Sequence, residues 1–172
     1  MATPTPAGRS GFAISLKGRA LRLLAGREQS RVELERKLAA HAETPEQLAQ
    51  VLDELQAKDF ISEARVVESV INRRAGRFGA ARIRHELQGK GLAAEAVAEA
   101  VSTLKGSEVE RARQVWERKF RIPDASAAGH SREMRFLLMR GFSAEAVRRV
   151  LRDARERAQG SNKNPEADAE AG

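Results

Sequence analysis

Residues 91–97 read GLAAEAV and residues 141–147 read GFSAEAV, fifty positions apart. The same offset relates Leu87 to Leu137, and Ala25-Gly26-Arg27 to Ala75-Gly76-Arg77. Leu38 stands 49 before Leu87, and Leu52, Val101 and Leu151 fall in one register, as do Leu55 with Leu104 and Leu34 with Ile83. A period of this length marks tandem copies of one supersecondary unit, each too small to bury its apolar face alone. In the third copy Glu133 stands where Leu34 and Ile83 stand. Met134 is the residue expected to fill that space.

Within each copy the apolar spacing is that of helices, and no alternating strand pattern bounded by turn dipeptides occurs. The expected helices are 14–25, 31–40 and 45–57; 62–75, 80–89 and 93–104; 107–120, 131–140 and 144–157. Ser30 with Glu33, Thr44 with Gln47 behind Pro45, and Ser107 with Glu110 have the spacing of capping boxes, and Ser143 can cap the last helix. Gly26, Gly76, Gly91, Gly106 and Gly141 mark helix ends. Gly76 through Gly79 reads as a helix break and nothing more. Phe60 and Ile61 read as a packed hinge between copies one and two. The fold expected is all-α, three tandem three-helix repeats of about 50 residues in an elongated, curved array. Residues 1–13 form a flexible leader, 14–61, 62–106 and 107–157 the repeats, and 158–172 a disordered tail.

Composition removes whole classes of function. With no Cys, thiolate catalysis, disulfides and Cys-ligated zinc are excluded. No stretch reaches the ~20 apolar residues of a membrane span. No secretory pattern opens the chain, so the default compartment is the cytoplasm. Tyr is absent and aromatic residues are 4%, too few for a protein that grips single strands mainly by stacking. His41, His85 and His130 lack the neighbours of a metal or catalytic site, and no phosphate loop or nucleophile elbow is present. The chain reads as a non-enzyme without cofactor or metal, and as a monomer, since no apolar stripe is left over.

What remains is charge. The net charge is +7, and 24 of the 31 basic residues are Arg, whose planar fork bonds phosphate or carboxylate bidentately. The candidate partner- or DNA-binding residues are Arg65, Arg73, Arg74, Arg77, Arg82, Arg84 and Lys90 in the second copy. In the third they are Arg140, Arg148, Arg152 and Arg155. Arg148, Arg152 and Arg155 share one helical face. Glu86 is the only acid within the 73–90 cluster, whereas Glu145 and Glu156 stand one turn from Arg149 and Arg152 and can pair with them. Trp116 and Phe120, one turn apart, read as core.

Ala20 through Ala25 with Arg27, Ser30 through Leu38, Lys58 through Arg65, Gly79 through Gly91 and Arg135 through Phe142, in this order and at these spacings, resemble the RecX regulatory proteins of bacteria. The resemblance covers about residues 14–157. It departs at Arg65, which Val66-Val67 follows here in place of the family's Phe-Ala. The resemblance implies a negative regulator of the RecA recombinase. It would bind the RecA filament on single-stranded DNA along its groove and limit strand exchange, ATP hydrolysis and co-protease activity, modulating DNA repair and the SOS response. Direct DNA contact is a further implied interaction. The alternative carried by the residues alone is a basic helical protein that acts through DNA.

Overall fold

A computed structural model describes residues 14–161 of the chain. Among them are nine α-helices and no strand. The proposed leader, and the proposed tail from residue 162 on, lie outside the described residues.

The chain divides into two compact units between Ser62 and Glu63. The first unit holds α1 (Leu16–Gly26), α2 (Arg31–Leu38) with a 3₁₀ turn at Ala39–His41, and α3 (Pro45–Ala57). No helix of 8–13 residues is stable alone in water, so packing must hold each one. Leu16, Ala20, Leu34, Leu38, Leu48, Leu52, Leu55 and Ile61 provide that packing. Of the expected hinge pair, Ile61 enters this core while Phe60 is exposed. Ser30 forms its capping box in full: its hydroxyl accepts from the Glu33 N–H at 3.2 Å, and the Glu33 carboxylate accepts from the Ser30 N–H at 3.1 Å. Thr44 caps α3 through the Gln47 N–H at 3.2 Å, while the Gln47 side chain accepts from Glu43.

The second unit contains the other two three-helix domains. In the first of these, α4 (Glu63–Arg74), α5 (Ala80–Gly89) and α6 (Ala94–Lys105) enclose Val66, Val70, Ile83, Leu87, Val97, Val101 and Leu104. Val66, at the departure from the family pattern, is a core residue. The last domain is α7 (Glu108–Phe120), α8 (Ala127–Leu138) and α9 (Ala144–Ser161), around Trp116, Leu137, Phe142, Val147 and Leu151. Phe142 and Leu92 are both buried just beyond a glycine of positive φ, Gly141 and Gly91.

Four local expectations are corrected. Helix α8 starts at Ala127 rather than 131, because Ser126 caps it through the Gly129 N–H at 3.0 Å. Residues 158–161 continue α9 rather than begin a tail. Ser107 makes no cap. The backbone passes from α6 to α7 in near-helical geometry, with Gly106 at φ −59° and Ser107 at φ −104°, ψ 4°, whereas a capping residue needs extended backbone. The Ser107 hydroxyl turns back to the Leu104 carbonyl instead. Glu133 itself occupies the core position, 1% exposed, and its carboxylate accepts from the Asp124 N–H at 2.9 Å, while Met134 packs at the margin.

Candidate partner interface

The segment Gly76–Gly79 is where the last two domains are joined. The Gly79 N–H donates to the Arg140 carbonyl at 2.9 Å, and the Ala81 N–H to the Gly141 carbonyl at 3.2 Å. A Cβ at Gly79 would collide with the backbone of Gly141 and Phe142. Gly141 has φ +81°, and a Cβ there would lie 2.6 Å from the Arg82 nitrogen. Only glycine fits either place.

Helix α7 seals this junction with two charged residues one turn apart. Glu108, 8% exposed, accepts from the Ser143 hydroxyl at 2.7 Å and from the N–H groups of Ser143 and Ala80, each at 3.4 Å. Arg111 donates to the carbonyls of Ala75 at 3.0 Å, Phe78 at 2.9 Å and Leu104 at 3.0 Å. Burial lowers the Arg111 pKa, and the Glu108 carboxylate opposes that fall. Sequence reasoning missed both residues. Glu108 was hidden inside an apparent capping box, and nothing local shows that Arg111 reaches carbonyls more than thirty residues away.

The junction positions the cationic side chains. Phe78 is half-buried against the core of the second domain, with Arg82, Arg74 and Arg77 guanidiniums 5.1, 5.7 and 6.0 Å from its ring centroid. Each is a weak cation–π contact, about 0.5–1 kcal/mol where exposed. Arg74 is committed to Glu86, 2.9 Å away. Arg77 and Arg82 are exposed and have no carboxylate within ion-pair distance among the described residues. Arg73 is exposed at the end of α4 and donates to the Ser69 carbonyl of its own helix. Arg84 is exposed too, but two helix positions put it about 200° round α5 from Arg82, away from Phe78. Arg65 and Lys90 are half-buried, on α4 and just beyond α5.

The third-domain candidates form two groups. Arg148, Arg152 and Arg155 line one shallow cleft with His130 and Met134. There Arg155 contacts the His130 ring, and Arg152 lies 3.9 Å from Glu156 and 3.7 Å from Asp153. That stripe is partly neutralised within its own helix. Arg140 stacks on Phe136, 3.7 Å from the ring centroid, and faces Arg77 across a cleft to which α7 adds Arg118 and Lys119. Arg118 and Lys119 are not among the sequence candidates, and nothing local marks them. In the structure Glu117 turns to Arg157, 3.2 Å away. Among the described residues no group of His, Asp and Glu has the makings of a metal site, and no helix is long and apolar enough to cross a membrane.

Family models for the first, second and third three-helix domains of RecX match residues 17–55, 62–101 and 107–151. Regulatory protein RecX of Leptothrix cholodnii is 55% identical over 139 residues, which are 81% of this chain and 88% of that protein. The chain belongs to the RecX family. Regulatory protein RecX of Herminiimonas arsenicoxydans is 47% identical over 83% of this RecX-family chain and 95% of its own length. In structure, the chain is similar to crystalline RecX from Lactobacillus salivarius, with a TM-score of 0.69 over 82% of this chain and 95% of that one, at 18% identity. At that identity the likeness bears on the fold, three RecX three-helix domains in series.

Proposed function

We propose that this RecX-family chain is a negative regulator of RecA, acting by binding the RecA filament on single-stranded DNA. It limits the filament's recombinase, ATPase and co-protease activities, and so tunes DNA repair and the SOS response. The observation that carries the reading is the match to all three RecX domains in order, with curated RecX proteins aligned over nearly their whole length. The surface supports it. The described clefts are shallow and lined by Arg, which suits a polyanionic or acidic macromolecule better than a small substrate. Arg73, Arg77 and Arg82 are the exposed cations we assign to filament contact, with Arg84, Lys90, Arg65 and Arg148 as flanking contributors. Arg74 holds Glu86 and shapes that face.

The test is RecA-dependent ATP hydrolysis on single-stranded DNA, titrated with wild type and with an Arg73→Glu/Arg82→Glu variant. Neither side chain is buried, so far-UV circular dichroism is expected to be unchanged. The inhibitory midpoint should move up at least tenfold. A folded variant that inhibits as well as wild type removes this face from the account. Absence of inhibition by the wild-type chain contradicts the reading altogether.

A further inference from the structure

We propose that the acidic segment 162–172, which lies outside the described residues, folds back along α9 and occupies the cleft between α8 and α9 as a built-in competitor for acidic partners. The cleft has a volume of about 400 Å³ and is lined by His130 and Met134 of α8 and by Arg148, Arg152, Arg155 and Glu156 of α9. Three arginines thus face one glutamate. That glutamate stands 3.9 Å from Arg152, and both side chains are exposed, so the pair is weak. Arg148 is exposed and has no ion-pair partner among the described residues. Arg155 donates to Nδ1 of the His130 ring, which holds the guanidinium in place and leaves its charge uncancelled.

The occupant follows from where the chain leaves and from its charge. Gln159, two residues before the end of α9, also lines the cleft, so the chain departs from its rim. Beyond that point Glu166, Asp168 and Glu170 outweigh Lys163, a net charge of −2. Pro165 opposes continuation of α9 as a helix, since it lacks an N–H and restricts the residue before it. The three acids alternate with Ala167 and Ala169. In an extended chain alternate side chains share one face, so all three carboxylates are presented together.

Spacing and reach agree with this. Two extended residues span ~6.7 Å. Four helical residues, the step from Arg148 to Arg152, span ~6 Å. Arg155, Arg152 and Arg148 lie six, nine and thirteen positions before Ser161, ~9, ~14 and ~20 Å back along the helix. Glu166, Asp168 and Glu170 lie five, seven and nine positions after it, within ~17, ~23 and ~30 Å at full extension. The chain is therefore long enough to reverse and set its acids beside the arginines. A short tether supplies an effective concentration of about mM, so individually weak ion pairs suffice to cover the cleft. An outside acidic partner must then displace the segment before it meets Arg148, Arg152 and Arg155. The contact itself is independent of the RecA reading, and only its consequence for the filament rests on that reading.

The test exploits the absence of cysteine: Ala169→Cys takes a single nitroxide label on the full, isotope-labelled chain. Broadening of backbone amide signals in its nuclear magnetic resonance spectrum reports which residues the label approaches. It should reach His130, Met134 and Arg148 at low salt. Glu166→Gln/Asp168→Asn/Glu170→Gln in the same labelled chain should at least halve it, as should ~1 M salt, where charges are screened within ~3 Å. Broadening that stays in the last turns of α9, or that the neutralised variant retains, reflects tethering alone and overturns the contact. Broadening that appears only when spin-labelled and isotope-labelled chains are mixed belongs to a second copy and overturns it too. In RecA-dependent ATP hydrolysis the neutralised chain, without the nitroxide, should inhibit with a midpoint at least threefold lower than wild type. An unmoved midpoint in a variant that has lost the contact overturns the competitor role. A wild-type chain that does not inhibit at all contradicts the RecA reading and leaves the spectroscopic result standing.

Discussion

Two glycines in one turn have opposite tolerances. At Gly76 an added Cβ meets nothing within 4 Å, whereas at Gly79 it meets the backbone of Gly141 and Phe142. Gly79→Ala should therefore destabilise the chain by roughly 1–3 kcal/mol, the range for overpacking. Gly76→Ala should be neutral or slightly stabilising, since it restricts the unfolded chain. Urea unfolding of the two variants distinguishes them, and equal midpoints would mean that the junction is not tight. The sequence shows both glycines but cannot rank them, because the obstruction comes from residues more than sixty positions away. Glu133 teaches the same lesson. The repeat register marks its position as core, and a backbone donor at Asp124 satisfies one of its two carboxylate oxygens there. A hydrophobic pattern carries no sign of that donor. Asp124 itself is held below its ordinary 3.8 by the N–H of Ser126, which donates to it at 2.9 Å. Its folded-state pKa is depressed, so its contribution to stability is complete above the ordinary value and lost as pH falls through the folded one. The thermal midpoint of Asp124→Asn should fall less steeply than that of wild type below pH ~4. Parallel curves would contradict this.

Most of the elements were legible. Eight of the nine helices begin within two residues of where spacing and caps put them, because short amphipathic helices declare themselves through apolar period and punctuation. The exceptions are instructive. Ser30 and Ser107 carry the same Ser-x-x-Glu spacing, yet only Ser30 has extended backbone and closes the box. Ser30→Ala should cost about 1 kcal/mol, and Ser107→Ala under about 0.5. Chemical denaturation of the pair checks this, and comparable losses would show that Ser107 caps after all. Helix α8 begins ahead of its expected start, and in its first turn Gly129 leaves room for the Asp124 side chain. At the candidate interface, the clustering of Arg73, Arg77 and Arg82 near one turn was visible. The neutralisation of Arg74, the divergence of Arg84 and the entry of Arg118 and Lys119 were not. Each depends on which way a side chain leaves its helix and what it meets there.

Across the whole molecule, the charge of +7 is unevenly committed. In the first domain three cations are paired with acids: Lys17 lies 2.8 Å from Glu54, Arg27 2.8 Å from Glu33, and Arg31 2.6 Å from Asp53. In the second unit Arg77, Arg82, Arg118, Lys119 and Arg140 have no such partner among the described residues. Surface pairs of the first kind are individually weak, about 0–1 kcal/mol, and their effect here is to cancel charge. The five cations named stand beside the junction that Glu108 and Arg111 hold, so they and their scaffold belong to one compact unit. That is the physical basis for assigning the polyanion-facing surface to the last two domains. The measurement that bears most directly on the central claim is equilibrium binding of the labelled full chain at ~0.15 M salt to three targets: RecA filament on single-stranded DNA, RecA alone, and the naked strand. Clear preference for the filament over both separate components is expected, with ATP hydrolysis falling as the filament is occupied. Equal affinity for filament and naked strand, with hydrolysis lost only as DNA is sequestered, would contradict it and leave a basic protein that acts through DNA alone.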